Sequence, residues 1–170
     1  KAQIAKEYVK FNERSMIRLL GDMRSYNYVV VPTHDFDHVV YSIRAIDFDQ
    51  QSYEGKFNVY RPQFFKENFI MVDLVSEKFE KMSINQYKLE ERSIIAKRLM
   101  SYENRISELI NSMSDDTISI PENELLLKTT IFEYTKDLKF MKSKNMGEIL
   151  KNALEFVKRN YETENTEIVF

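Results

Sequence analysis

Residues that interrupt secondary structure are scarce in this chain: it has three glycines and three prolines among its 170 residues. Leu, Ile, Glu and Lys, in contrast, occur throughout. Because glycine and proline are the main breakers of helices, long stretches without them favour long helices. We therefore expect a mainly helical protein.

One stretch departs from this helical pattern. Residues 26–31 are aromatic and β-branched, which favours a strand, and residues 39–47 predict a second strand. The polar residues 33–37 between them predict a turn. Two adjacent strands joined by a short turn form an antiparallel hairpin.

The remaining chain predicts a series of helices. The first covers residues 2–20 and ends at Gly21, and helices resume at about residue 67. Ser83 and Gln86 have the spacing of a capping box that opens a long helix, and Pro121 suits a first helical position. A last helix is expected over 145–161. The predicted fold class is mainly α with a small β-hairpin (α+β): a helical bundle carrying an antiparallel hairpin, as a single domain over 1–170.

The amino-acid composition excludes several classes of function and partner. The absence of cysteine excludes disulfides and thiolate chemistry, and it fits a cytoplasmic location. The net charge of -2 provides no basic field, so nucleic acid is not expected as a partner. No apolar run has the length that a bilayer crossing needs, so no membrane association is expected.

Three oxygen-bearing side chains surround the predicted hairpin. Asp22 follows the first helix, Asn27 comes five residues later, and Asp47 ends the second strand. A hairpin folds back on itself, so its last residue returns near its first. Phosphoryl transfer needs such a set, because a carboxylate must orient the acceptor hydroxyl and oxygen ligands must hold Mg²⁺ on the phosphates.

This stretch resembles the protein-kinase-like superfamily, and most closely its aminoglycoside phosphotransferase and choline kinase branch. The resemblance rests on three pieces in order: Leu20-Gly21-Asp22 with Asn27, the strand Tyr28-Val29-Val30-Val31, and Ala45-Ile46-Asp47-Phe48-Asp49. It covers roughly residues 1–50, and the later helices fit it only as a generic helical lobe. Leu20 departs from the family pattern, which has His there.

The resemblance implies a kinase-like C-lobe and assigns roles to its residues. Asp22 would be the catalytic residue, and Asn27 and Asp47 would be metal ligands. Asp49 and Arg24 are further site candidates. By the same resemblance, Mg²⁺ and ATP are the expected cofactors.

The resemblance also divides the chain into segments. Residues 20–49 would be the catalytic loop and hairpin, 50–66 a substrate-side loop, and 67–161 the helical part. The substrate-side loop begins with the candidate contact residues Gln50, Gln51 and Tyr53.

A kinase also needs an N-lobe that covers the nucleotide. No such sheet precedes the first helix, and the first residue is Lys1 rather than Met. We therefore expect a C-lobe fragment whose N-lobe belongs to the same protein or to a partner chain. In isolation it should bind ATP poorly and be inactive. The phosphate acceptor, a small molecule or a protein, is not identified by the sequence.

Other interpretations stay open. Asp22, Asn27 and Asp47 are also ordinary loop residues, so the chain can be a catalytically inactive kinase-like or helical protein-interaction module. It can also be a helical regulatory protein whose hairpin projects as an arm. His34 and His38 have a spacing that suits a metal, although a solvated turn explains them better. Arg44 is either a phosphate contact or a surface charge.

Overall fold

The computed structural model describes residues 1–48, 65–115 and 120–166, with side chains up to 159. It is a mainly helical α+β structure with a two-stranded antiparallel hairpin, which confirms the α+β part of the predicted fold class. Between the hairpin and α2 lies a 3-10 turn, Lys66–Asn68. The elements in chain order are α1 (Ala2–Ile17), β1 (Tyr28–Asp35), β2 (His38–Ala45), α2 (Phe69–Lys78), α3 (Lys81–Ser101), α4 (Glu103–Ser114), α5 (Pro121–Thr135) and α6 (Met146–Thr166).

The end of α1 differs from the prediction that Gly21 terminates it. Leu19 adopts a left-handed backbone conformation with φ of 53°, and its N–H donates to the Met16 carbonyl at 2.9 Å. The Leu20 N–H donates to the Ser15 carbonyl at 3.2 Å. These two bonds form a Schellman motif. Glycine usually occupies the left-handed position, but here burial of the Leu19 side chain offsets the backbone strain.

The hairpin has a tighter turn and a longer first strand than the sequence predicted. Asp35 pairs with His38, so only Phe36 and Asp37 form the turn. Phe36 has φ of 48°, a conformation typical of two-residue hairpin turns. The prediction of a five-residue turn over 33–37 was therefore wrong. Polar residues near the tip continue the strands because both faces are exposed to water there.

Two helix boundaries also differ from the predictions. The N-cap of α3 is Glu80, and Ser83 lies inside the helix, so the predicted capping box is not present. The long helix expected to follow it is divided at Tyr102 into α3 and α4. In contrast, Pro121 begins α5 as predicted. The Asn145 side-chain oxygen accepts from the Glu148 N–H at 2.9 Å and thereby caps α6.

Two clusters of buried side chains form the core. One joins α1, the hairpin and α2, and includes Tyr8, Phe11, Tyr28 and Ile43. The other is built mainly from α3, α5 and α6, and Leu19 extends it to the end of α1. Among the described residues, no helix combines the length and apolar character that a membrane crossing requires.

Helix α1 also lies along the outer edge of β2. Glu7 accepts a hydrogen bond from the Ile43 N–H at 3.1 Å, and Arg14 donates to the Ile43 carbonyl at 3.3 Å. Glu7 and Arg14 form an ion pair with each other. The backbone groups of an edge strand would otherwise face solvent, so these two side chains take the place of a third strand.

Ion pairs set the register of α1 against α3. Arg14 Nη1 lies 3.2 Å from Glu91, Arg92 lies 2.8 Å from Glu13, and Lys10 lies 2.9 Å from Glu90. Glu13 and Glu91 are buried. A buried carboxylate is tolerated only with a partner, so these pairs disfavour any other register of the two helices.

Replacing Arg14 by Ala should destabilise the whole fold. The change leaves the buried Glu91 carboxylate and the Ile43 carbonyl without this partner, so we expect a loss of about 3 kcal/mol in the free energy of unfolding. Chemical denaturation measures it. Arg105→Ala, at an exposed position on α4, is the matched control and should change stability by less than about 0.5 kcal/mol. Equal stability of the two variants would contradict this account of α1.

Candidate functional site

The loop between α1 and β1 carries three of the residues that the sequence singled out. The Asn27 side-chain amide donates to the Asp22 carbonyl at 2.6 Å, and the Asn27 N–H donates to the Arg24 carbonyl at 2.9 Å. Asn27 is 5% exposed. Its side chain therefore closes the loop from the inside and brings Asp22 and Asn27 together.

A backbone hydrogen bond connects this loop to the far end of the hairpin. The Ile46 N–H donates to the Asn27 carbonyl at 3.0 Å, one step beyond the last strand pair, Tyr28 with Ala45. Asp47 is the next residue along the chain and is partly buried. The hairpin thus returns the chain to Asn27 immediately before Asp47, as the sequence predicted.

Arg24 is the charged partner of Asp22. Its Nε donates to Asp22 Oδ1 at 2.9 Å, and its Nη1 lies 3.5 Å from Glu67. The guanidinium also lies over the Phe65 ring, 5.1 Å from the centroid. The hydrogen bond with Asp22 raises the pKa of Arg24. In the described part of the chain, Asp22 Oδ2 has no such partner.

Buried hydrogen bonds of Asn68 connect the loop to the hairpin. Asn68, which is 1% exposed, donates its amide to the Met23 carbonyl at 2.8 Å and accepts from the Tyr28 hydroxyl at 3.1 Å. Burial raises the pKa of Tyr28 and, together with the neighbouring Tyr28 hydroxyl, that of Tyr8. Sequence reasoning missed Asn68, because nothing local distinguishes a single Asn before a helix.

Leu20, at the position where the resembled family has His, is 2% exposed and packs in the cluster around the hairpin. Its neighbours there include Phe11 and Met23. The loop is therefore attached to the core by an apolar side chain at this point, in addition to the polar contacts of Asn27 and Asn68.

Asn27 and Asp47 are the two oxygen-bearing side chains that the sequence predicts as metal ligands. Among the described residues, no three His, Cys, Asp or Glu side chains come together as a metal site. In the same part of the chain, Asn27 Oδ1 accepts no hydrogen bond, and Ser42 Oγ is the one buried polar atom without a partner. Mg²⁺ commonly takes one or two protein oxygens and completes its shell with water and phosphate.

The other candidates do not join this site in the described structure. Asp49, Gln50, Gln51 and Tyr53 lie outside the described residues. His34 and His38 are exposed near the hairpin tip, beside the two-residue turn. The base of the hairpin packs on the helices through Tyr28 and Ile43, while its tip extends into solvent.

Comparisons with protein-family models, with curated proteins and with solved structures find no match to this chain. The fold defines a mainly helical α+β protein.

Removing the Asn27 side chain should loosen the loop without unfolding the protein. Asn27→Ala loses the bond to the Asp22 carbonyl, which is worth about 1 kcal/mol. We expect faster hydrogen exchange at the Asn27 and Ile46 amides, and unchanged exchange in α6. Asn111→Ala, at an exposed position of α4, is the control. Unchanged protection of both amides in Asn27→Ala would show that the side chain does not hold the loop.

Proposed function

We propose that this chain is the C-terminal lobe of an ATP-dependent, kinase-like phosphotransferase. The observation that carries the proposal is the closure of the loop by Asn27, whose side chain bonds the Asp22 carbonyl and whose own carbonyl bonds the Ile46 amide. Through these two hydrogen bonds Asn27 connects the backbone at Asp22 to the backbone at Ile46, the residue before Asp47. The proposal goes beyond the fold, and it rests on these contacts and on the order of the residues.

In this proposal Asp22 orients the hydroxyl that receives the phosphoryl group. Arg24 holds Oδ1, so Oδ2 would take the proton of the acceptor hydroxyl while the acceptor oxygen bonds to the γ-phosphorus and the bond from that phosphorus to ADP breaks. The loop contacts fix the Asp22 backbone before substrate arrives, and fixed geometry is what phosphoryl transfer requires. The acceptor itself is not specified by any described residue.

Asn27 Oδ1 and the Asp47 carboxylate are the proposed ligands of Mg²⁺. When bound, the metal neutralises the phosphate oxygens of ATP. Asn27 uses its nitrogen to close the loop and its oxygen for the metal, so one side chain would link the two functions.

Exposed apolar side chains support the proposed need for an N-lobe. Val29 and Val30 are each 39% exposed on β1, and Val40 is 49% exposed on β2. Ile46 and Phe48, on either side of Asp47, are also exposed. Apolar surface beside a polar site marks a region that another module covers. We assign this cover to an N-lobe of the same protein or of a partner chain, which would complete the ATP site.

Phosphotransfer by the protein expressed from its complete gene tests the proposal. With Mg²⁺ and radiolabelled ATP, Asp22→Asn and Asp47→Asn should each lower transfer by about a hundredfold or more. Asp73→Asn, an exposed position on α2, is the matched control and should retain full activity. If the unmodified, folded protein transfers no phosphate to a panel of small alcohols, amines and protein hydroxyls, the enzyme proposal fails. The alternative of an inactive kinase-like or protein-interaction module would then replace it.

A further inference from the structure

A cavity lies between α1, β2 and α3, and Asp22 is not among its lining residues. Its volume is about 470 Å³, within the range of small-molecule sites. Four arginines line it: Arg14 and Arg18 at the end of α1, Arg44 on β2 and Arg98 on α3. We call it the arginine cavity. Phe11 and Ile43, both buried, provide its apolar floor.

The charges around the arginine cavity are not balanced. Its two carboxylates, Glu7 and Glu91, both pair with Arg14. Within the described ranges, the other three arginines of the cavity have no carboxylate partner. Four guanidinium groups against two carboxylates leave an excess of two positive charges.

The cationic groups repel one another. Partial burial lowers the pKa of Arg18, and the neighbouring charges of Arg14 and Arg98 lower it further, while Glu91 acts in the opposite direction. Arginine does not lose its proton in proteins, so this repulsion is a cost that the folded chain carries. An anion in the cavity would remove it.

One hydroxyl in the same cavity also lacks a partner. Ser42 lines it from β2, and Ser42 Oγ is buried without a hydrogen bond. Buried polar atoms are nearly always bonded, and leaving one unpaired costs about 1–3 kcal/mol in a folded protein. Because this oxygen has almost no solvent-accessible surface, the unpaired hydroxyl is a structural cost beside the cavity and not a contact for the ligand.

We propose that the arginine cavity binds a dianionic phosphate group, as free phosphate or as the monoester of a small compound. The excess of two positive charges matches a dianion, and guanidinium groups match phosphate oxygens in geometry as well as charge. The apolar floor suits the carbon part of a monoester. Asp22, Asn27 and Asp47 are not among the lining residues, and phosphate binding here does not depend on the proposed phosphotransfer.

Calorimetric titration of the 170-residue chain with inorganic phosphate and with phenyl phosphate tests this proposal. EDTA is present throughout, so that metal-mediated binding does not contribute. We expect saturable binding with one equivalent, which weakens as salt is added. Tighter binding of phenyl phosphate would identify a monoester as the ligand, whereas equal affinity would identify phosphate alone. Absence of saturable binding of either compound would overturn the proposal.

A double arginine variant and a control variant test whether phosphate binds in the arginine cavity. Arg44→Gln combined with Arg98→Gln should weaken phosphate binding about a hundredfold, because each charged hydrogen bond is worth about one order of magnitude. Arg105→Gln, exposed on α4, should bind as the unmodified chain does. Equal affinity in the double variant and the control would overturn the assignment to this cavity.

Two further variants separate this site from a general structural effect. Ser42→Ala should raise the thermal midpoint of the free protein, because it removes an unpaired buried hydroxyl, and should leave phosphate binding unchanged. Asp22→Asn should bind phosphate unchanged. Loss of phosphate binding in Asp22→Asn would move the anion to the catalytic loop and refute the arginine cavity. Retained binding combined with absent phosphotransfer would refute only the proposed function.

Discussion

Arg14 is the residue on which three elements of the structure converge. From α1 it pairs with Glu7 on the same helix and with the buried Glu91 of α3, and it donates to the Ile43 carbonyl of β2. Glu7 accepts from the amide of the same strand residue. A two-stranded hairpin is marginal by itself, so its position depends on this attachment to a helix. Because the hairpin delivers Ile46 to the Asn27 carbonyl, the geometry of the loop depends on it too.

Two further features fix the position of the loop between α1 and β1. Below it, Asn68 connects the Met23 carbonyl to the Tyr28 hydroxyl in a fully buried position. Before it, the left-handed Leu19 ends α1 and turns the chain into the loop while its side chain stays in the core. A loop with this support is preorganised, and preorganised loops on rigid elements are where binding and catalysis are usually found. Attachment of this kind is what the proposed roles of Asp22 and Asn27 need.

Local sequence patterns predicted the kinds of element better than their ends. The aromatic and β-branched run and the scarcity of breakers indicated a hairpin within a helical protein, and Pro121 marked a helix start. The end of α1 was placed at Gly21 because glycine is the usual left-handed residue, but tertiary burial made Leu19 the better choice. The capping box predicted at Ser83 is absent because α3 begins two residues earlier, at Lys81.

The site was predictable only where its parts are close in sequence. Asp22, Asn27 and Asp47 follow from the five-residue spacing and from the return path of a hairpin. Asn68 lies in the 3-10 turn before α2, 45 residues from Met23, and no short pattern relates the two. The arginine cavity likewise combines three elements whose separation in sequence hides their common surface. Of the four arginines, the sequence singled out only Arg44 as a candidate phosphate contact, because the other three lie on different elements.

Paramagnetic broadening of the backbone NMR spectrum by Mn²⁺, a substitute for Mg²⁺ at oxygen sites, tests the central claim most directly. The account predicts that the amide signals of Asp22, Asn27 and Asp47 broaden first. It also predicts that Asp47→Asn abolishes this broadening while the spectrum still shows a folded protein. Broadening that centres on His34 and His38 at the hairpin tip, or that spreads evenly over exposed carboxylates, would contradict the assignment of a metal site to this loop.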